Sequence, residues 1–208
     1  MSLLKKSFYT RTDVVQVSKE LLGKILITNF EGQYTAGMIV ETEAYRGPDD
    51  KACHAYNNKR TPRTEVMFHE GGVSYVYTIY GMYDLFNVVT AHENMAHAVL
   101  IRGLEPLEGI EIMQKRRKNM DVKPLLTAGP GRLGMALGIK KAHSGVSLMD
   151  KKGGIWIEDR GVKVDEDQII AGPRVGMSTA EECSNWPWRF RILNNKWASK
   201  PDHVLYDV

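Results

Sequence analysis

Cysteine is scarce: Cys53 and Cys183 are the only two in 208 residues, and they form no Cys-x-x-Cys motif. That excludes a disulfide-stapled scaffold and reads as two reduced thiols in a cytoplasmic protein. No apolar run approaches the roughly 18 residues of a membrane span, and the apolar stretch in Met1-Ser2-Leu3-Leu4-Lys5-Lys6 is too short for a signal peptide. An excess of one charge is missing too. The 28 Lys and Arg against 25 Asp and Glu leave +3, so a hold on any polyanion has to come from local clustering. A Gly-x-Ser-x-Gly nucleophile motif is absent, and there are no internal repeats, low-complexity tracts or composition breaks. The expectation is one soluble domain over residues 1–208, long enough to bury its own core.

What is present has the punctuation of an α+β fold. Asp13 caps a helix through Val14, Val17 and Leu21-Leu22, which Gly23 ends. Residues 24–30 and 34–45 read as a hairpin around Glu31-Gly32, and residues 74–80 and 85–90 as a second one around Gly81-Met82-Tyr83-Asp84. A further strand is expected over 98–104. Pro106 suits the first turn of a helix over 105–118, whose early glutamates and late cations match the macrodipole and whose Leu107, Ile110 and Met113 form its buried face. A second helix is expected from Pro130. Residues 146–149 and 155–158 read as extended segments flanking a Lys151–Gly154 turn, and Trp188, Phe190 and Ile192 alternate with Arg189 and Arg191.

The chemistry concentrates early. Glu41 and Glu43 lie two residues apart, hence on one face of a strand at about 7 Å, and Tyr45 continues that face. An exposed polar edge is the plain alternative. Six of the nine tyrosines fall between Tyr45 and Tyr83, together with His54 and with Arg46, Lys51, Lys59, Arg60 and Arg63 interleaved. Such rings suit stacking on nucleobases as well as packing at a core edge. With the cations they describe a pocket for a flat base and a rim for phosphates. Gly129-Pro130-Gly131-Arg132 opens a helix whose free N–H groups suit a phosphate, although a simple glycine turn reads the same way. Two other readings stay open: a metal-dependent nuclease built on His54 with Glu41, Glu43 and Asp49 or Asp50, and a non-catalytic nucleic-acid-binding module.

Several long motifs then occur in order: residues 40–50 (VETEAYRGPDD), Ala52-Cys53-His54, Arg60-Thr61-Pro62-Arg63, residues 75–83 (YVYTIYGMY) and residues 102–109 (RGLEPLEG). With weaker matches at Gly129–Leu133 and Arg174-Val175-Gly176, they make the chain similar to the alkyladenine (3-methyladenine) DNA glycosylase family. The resemblance implies a single mixed domain on a curved antiparallel sheet, with a protruding β-hairpin and peripheral helices. It implies hydrolysis of the bond between an alkylated or deaminated purine and deoxyribose, with no metal or organic cofactor. It makes Glu43 the general base, with Arg102 and the Val175 carbonyl positioning the water. Tyr45, His54 and Tyr77 would hold the flipped base, and Asn87 would crowd the guanine amine. Tyr80 would enter the duplex, while Met82, Tyr83, Thr61, Arg63 and Arg132 would meet the DNA. The implied partner is double-stranded DNA carrying damaged purines, bound by a monomer.

Overall fold

The computed structural model describes residues 2–177 and 180–199. Its frame is an open, antiparallel sheet of nine strands: β1 (Ser2–Leu3), β2 (Ile25–Phe30), β3 (Gln33–Arg46), β4 (Ser74–Ile79), β5 (Tyr83–Thr90), β6 (His97–Glu108), β7 (Ile155–Asp159), β8 (Ile169–Gly172) and β9 (Arg189–Ile192). The main path runs β1-β7-β2-β3-β6-β5-β4, while β9 joins β8 to β3. The fourteen-residue β3 is the spine. It pairs with β6 along one edge, and on the other edge it passes from β2, paired up to Met38, to β9, paired at Glu41–Glu43. Register shifts at Ala36/Gly37, Ile39/Glu41 and Glu41/Thr42 interrupt its ladder with β6, the irregularities that bend a strand and re-aim its side chains.

Helices sit around this sheet: α1 (Lys6–Tyr9), α2 (Val14–Glu20), α3 (Ile110–Arg116) and α4 (Pro130–Leu137). Asp13 caps α2 by accepting the Gln16 N–H at 3.0 Å, satisfying one of the open donors of the first turn. The main apolar core draws on residues from Leu4 in β1's flank to Trp197 near the far end, with Leu26, Ile39, Phe86, Ile101, Leu133 and Phe190 among its members. A second cluster of Cys53, Ala55, Met67, Phe68, Tyr75, Val89, Ala96 and Ala98 backs the tyrosines of interest, Tyr45 and Tyr77. Both cysteines are free and buried.

Two expectations about elements need correction. The helix expected over 105–118 covers only Ile110–Arg116, because β6 continues through Pro106 to Glu108. Proline is tolerated there for a local reason. The partner β5 covers only His97–Leu100 of β6, so Pro106 lies on an uncovered edge, opposite Gly37 beside a bulge. Leu107, expected in the buried face, is 42% exposed, whereas Met113 is buried. Residues 146–149 do not form a strand. Their one ladder contact is the bridge Val73↔Ser147, and β7 pairs instead with β2 and β1.

The tip half of the β4–β5 hairpin extends past the pairing with β6, which covers only Asn87–Thr90 of β5. Its tip has Tyr80 and Gly81 in succession at φ +53° and +67°, with the Met82 N–H donated to the Ile79 carbonyl at 3.2 Å. Two positive φ values in a row mark the turn that matches strand twist in tight hairpins, but tyrosine is strained there. Tyr80 is 81% and Met82 66% exposed. The start of β5, just past the tip, is gripped by α4. A Cβ on Gly134 would lie 2.4 Å from the Asp84 carbonyl oxygen, and one on Gly131 2.8 Å from the Tyr83 ring. The glycines of the 129–134 segment thus let a helix lie directly against β5.

Candidate active site

Glu41 and Glu43 do share a face of β3, and both are fully buried. Their surroundings differ. Glu41 accepts from Arg102 Nε at 3.0 Å, Arg189 Nε at 2.7 Å, the Ser199 N–H at 2.6 Å and the Ser199 hydroxyl at 2.7 Å. Burial opposes its ionisation, but Arg102, Arg189 and Ser199 outweigh that and hold its carboxyl below the usual range. Glu43 accepts the Val175 N–H at 2.8 Å on Oε1 and the Tyr45 hydroxyl at 2.7 Å on Oε2, with Arg102 Nε 3.3 Å from Oε1. Arg102 feels burial as a pull downward on its pKa, and the adjoining Glu43 and Glu41 reverse it, so its charge is fixed.

Glu43 opens onto a cavity of about 400 Å³. Tyr45 and Tyr77 wall it, Arg102 and Val175 flank the carboxylate, and Tyr80, Tyr83 and Arg132 form its outer part. Next to it lies a slot of about 50 Å³ lined by Tyr45, His54, Tyr75, Tyr77 and Asn87 among others. The two spaces share Tyr45, Tyr77 and Met177. The structure therefore gathers most of the expected residues around one opening. Thr61 and Met82 line neither space. Thr61 is engaged with Thr64 in its own turn, and Met82 is at the hairpin tip.

The tyrosine hydroxyls stay protonated. Burial pushes the Tyr45 and Tyr77 pKa values up, and Glu43 adds to the shift at both. His54 contacts the Tyr77 ring edge-on at 4.6 Å between centroids. Arg63 lies outside both spaces, but its guanidinium sits 5.0 Å over the Tyr77 ring and its Nη2 is 3.1 Å from His54 Nε2. Arginine has no acceptor, so Nε2 accepts, and Nδ1 carries the proton it donates to the Tyr75 hydroxyl at 3.0 Å. Burial, reinforced by the Arg63 charge, pushes the His54 pKa down to about 4. The ring is neutral at neutral pH.

Asn87 is anchored rather than loose. Its Nδ2 donates to the Tyr75 carbonyl at 3.0 Å and the Leu85 carbonyl at 3.4 Å while the side chain lines the slot. Arg132 curls back to the Ala128 carbonyl at 3.0 Å at the mouth of the larger cavity. The metal cluster considered from sequence is not assembled. Asp49 is held by Arg46, Asp50 by Arg174 and Glu41 by three partners, and no group of three His, Cys, Asp or Glu side chains gathers among the described residues.

Four contributors were given no role from sequence. Arg189 and Ser199 close around Glu41, so the basic face of β9 is turned inward: Arg189 is 1% exposed. Arg174 makes a buried pair with Asp50, Nη2 to Oδ1 at 2.7 Å, and also donates to the Ala44 and Cys183 carbonyls. It lies 4.8 Å over the Tyr45 ring and 5.4 Å over Trp188, whose other cation neighbour is Arg46 at 4.9 Å. This cation–ring stack braces the back of Tyr45 and fixes the loop that offers Val175 to Glu43. Met177 is the fourth. The alternation of Arg189 and Arg191 with apolar residues and the Arg174-Val175-Gly176 match gave a signal for two of them, and Ser199 and Met177 had none.

A family model described as methylpurine-DNA glycosylase (MPG) matches residues 7–196. A Chlamydia felis protein provisionally named 3-methyladenine DNA glycosylase is 46% identical over 199 residues, covering 95% of this chain and 100% of that protein. Proteins with the same provisional name from Clostridium perfringens and Desulfitobacterium hafniense are 45% and 43% identical, covering 95% and 96% of this chain and 98% and 99% of theirs. The chain belongs to the methylpurine-DNA glycosylase family. It is accordingly a DNA glycosylase, a hydrolase of base-excision repair that acts on DNA. No helix among the described residues is long and apolar enough to cross a membrane.

Proposed function

We propose that this enzyme removes alkylated and deaminated purines from double-stranded DNA by turning the damaged nucleotide out of the helix and hydrolysing its N-glycosidic bond with a water activated by Glu43. The observation that carries the reading is the contrast between the two carboxylates. Arg102, Arg189 and Ser199 occupy the oxygens of Glu41, whereas Glu43 faces an aromatic-walled cavity of about 400 Å³. In the reaction the water's proton passes to Glu43 and its oxygen bonds to C1′ of the deoxyribose. The electrons of the C1′–N bond leave with the base. The same carboxylate offsets the positive charge that grows on the sugar.

Arg102 and the Val175 carbonyl hold that water. A base already carrying positive charge departs readily and is drawn to the faces of Tyr45 and Tyr77, and a neutral His54 adds a flat wall without repelling it. Asn87 stands against the guanine amine. Tyr80 fills the gap left in the stack, while Met82, Tyr83, Thr61, Arg63 and Arg132 meet the surrounding DNA. One domain acts as a monomer, using a carboxylate and water and no metal or cofactor.

The test is to incubate duplexes bearing one defined lesion each, in excess chelator, and score free base, abasic sites and strand breaks. Free base with an intact backbone is expected. Strand cleavage that appears only with added divalent metal would favour the nuclease, and binding without any product would favour a non-catalytic module.

A further inference from the structure

The larger cavity and the inner slot are separated by three side chains, Tyr45, Tyr77 and Met177, and they differ in their freedom. Tyr45 is on β3, hydrogen-bonded to Glu43 and backed by Arg174; Tyr77 is on β4, held between the His54 edge and the Arg63 guanidinium. Met177 follows β8. Its backbone is tied from both sides, by the Val175 N–H on Glu43 and by its own carbonyl, which accepts the Ala180 N–H at 2.9 Å. Among the described residues, the one polar contact of its side chain is the 4.0 Å approach of the Tyr45 hydroxyl to sulfur. A long unbranched thioether thus stands on a tied backbone and lines both spaces together with two braced rings.

The slot has to enlarge before it can hold a base. At about 50 Å³ it has room for a water or two, not for a purine. The two rings are set by the sheet, so the enlargement falls to the one partition that can rotate, and methionine changes rotamer and refits around new neighbours at little cost.

We propose that the Met177 side chain is the gate between the two spaces, swinging aside to admit the base and then packing over it, so that its length sets how large a modified purine the slot accepts. The inference rests on the glycosylase reading of this pocket.

The experiment compares single-turnover rates of base release at saturating enzyme on two duplexes of one sequence, carrying either hypoxanthine or the larger 1,N6-ethenoadenine. The wild-type enzyme, Met177→Ala and Met177→Phe are each tested. Shortening the gate should raise the etheno-to-hypoxanthine rate ratio by about tenfold, the scale of a few atoms of hydrophobic fit, and replacing it with the bulkier, stiffer ring should lower the ratio. Equal slowing of both substrates in both variants would mark Met177 as loop packing and overturn the gate, as would a ratio unmoved by either change. A wild-type enzyme that releases neither base, nor a methylated purine used as a control, would instead count against the glycosylase reading itself.

Discussion

Glu41 and Glu43 share one donor: Arg102 Nε is 3.0 Å from the first and 3.3 Å from the second. Only Glu41 has a second buried arginine, Arg189, closed around it, whereas Glu43 takes the Tyr45 hydroxyl and the Val175 N–H and faces the cavity, so equal substitutions should fail in different ways. Glu43→Gln keeps the shape but removes the proton acceptor. Base release should fall by about 10²–10⁴-fold or more, with the melting temperature and lesion-duplex binding retained. Glu41→Gln leaves Arg189 buried without its counter-charge, a defect worth about 3–5 kcal/mol, and should lower stability first and activity less. Thermal melts beside single-turnover rates decide the matter. An inactive, fully stable Glu41→Gln with an active Glu43→Gln would reverse the two roles.

The His54 ring should titrate near 4, well below its ordinary 6.5, because burial and then the Arg63 charge disfavour the imidazolium. The sign follows from linkage. The shifted group belongs to the folded protein, so its contribution to stability is complete above about 6.5 and is lost as the pH falls through 4. Arg63→Ala should raise the His54 pKa but leave it under 6.5, since burial is the larger cause. Proton-detected titration of the ring in both proteins measures this, and an unchanged value in the variant would show that Arg63 does not act on the ring.

Tyr80 occupies a left-handed position that suits asparagine far better. Tyr80→Asn should therefore stabilise the protein by about 1 kcal/mol in urea unfolding, by relief of that strain. The same change should weaken binding to lesion duplexes more than to the matching single strands, for which no gap in a stack needs filling. A loss of equal size on both, titrated at one salt concentration, would argue against a wedge.

Asn87→Ser should raise release of guanine, above all from a mispair, relative to release of alkylated adenine. Its two hydrogen bonds to the Tyr75 and Leu85 carbonyls also hold β4 and β5, so some stability should be lost as well. The ratio of rates on matched duplexes isolates the selectivity. If stability drops and both rates drop in proportion, Asn87 acts only as a tie between strands.

Much of this was legible because the signals are local. The cap at Asp13, the turn at Glu31-Gly32 and the tyrosine-bearing hairpin each lie within a few residues. What distinguishes Glu41 from Glu43 does not. Arg189 lies 148 and Ser199 158 residues from Glu41, and no spacing rule connects them. Pro106 misled in the opposite direction: a sound local signal for a helix start was overridden by pairing with Gly37, a partner 69 residues away in the chain. The alternation at 188–192 was readable as a strand, yet it does not say that the arginine face is buried as well as the apolar one.

The same long reach has a consequence for how the site comes into being. Residues 25–108 hold five of the strands, paired with one another, but the Glu41 partners Arg189 and Ser199 and the Val175 N–H on Glu43, 132 residues on, all come from outside that stretch. On a ribosome the carboxylates are thus made early and completed late. β9 and the segments beside it bring in Arg189, Val175 and Ser199, so a chain still short of its last quarter lacks the donors that set the two carboxylates apart.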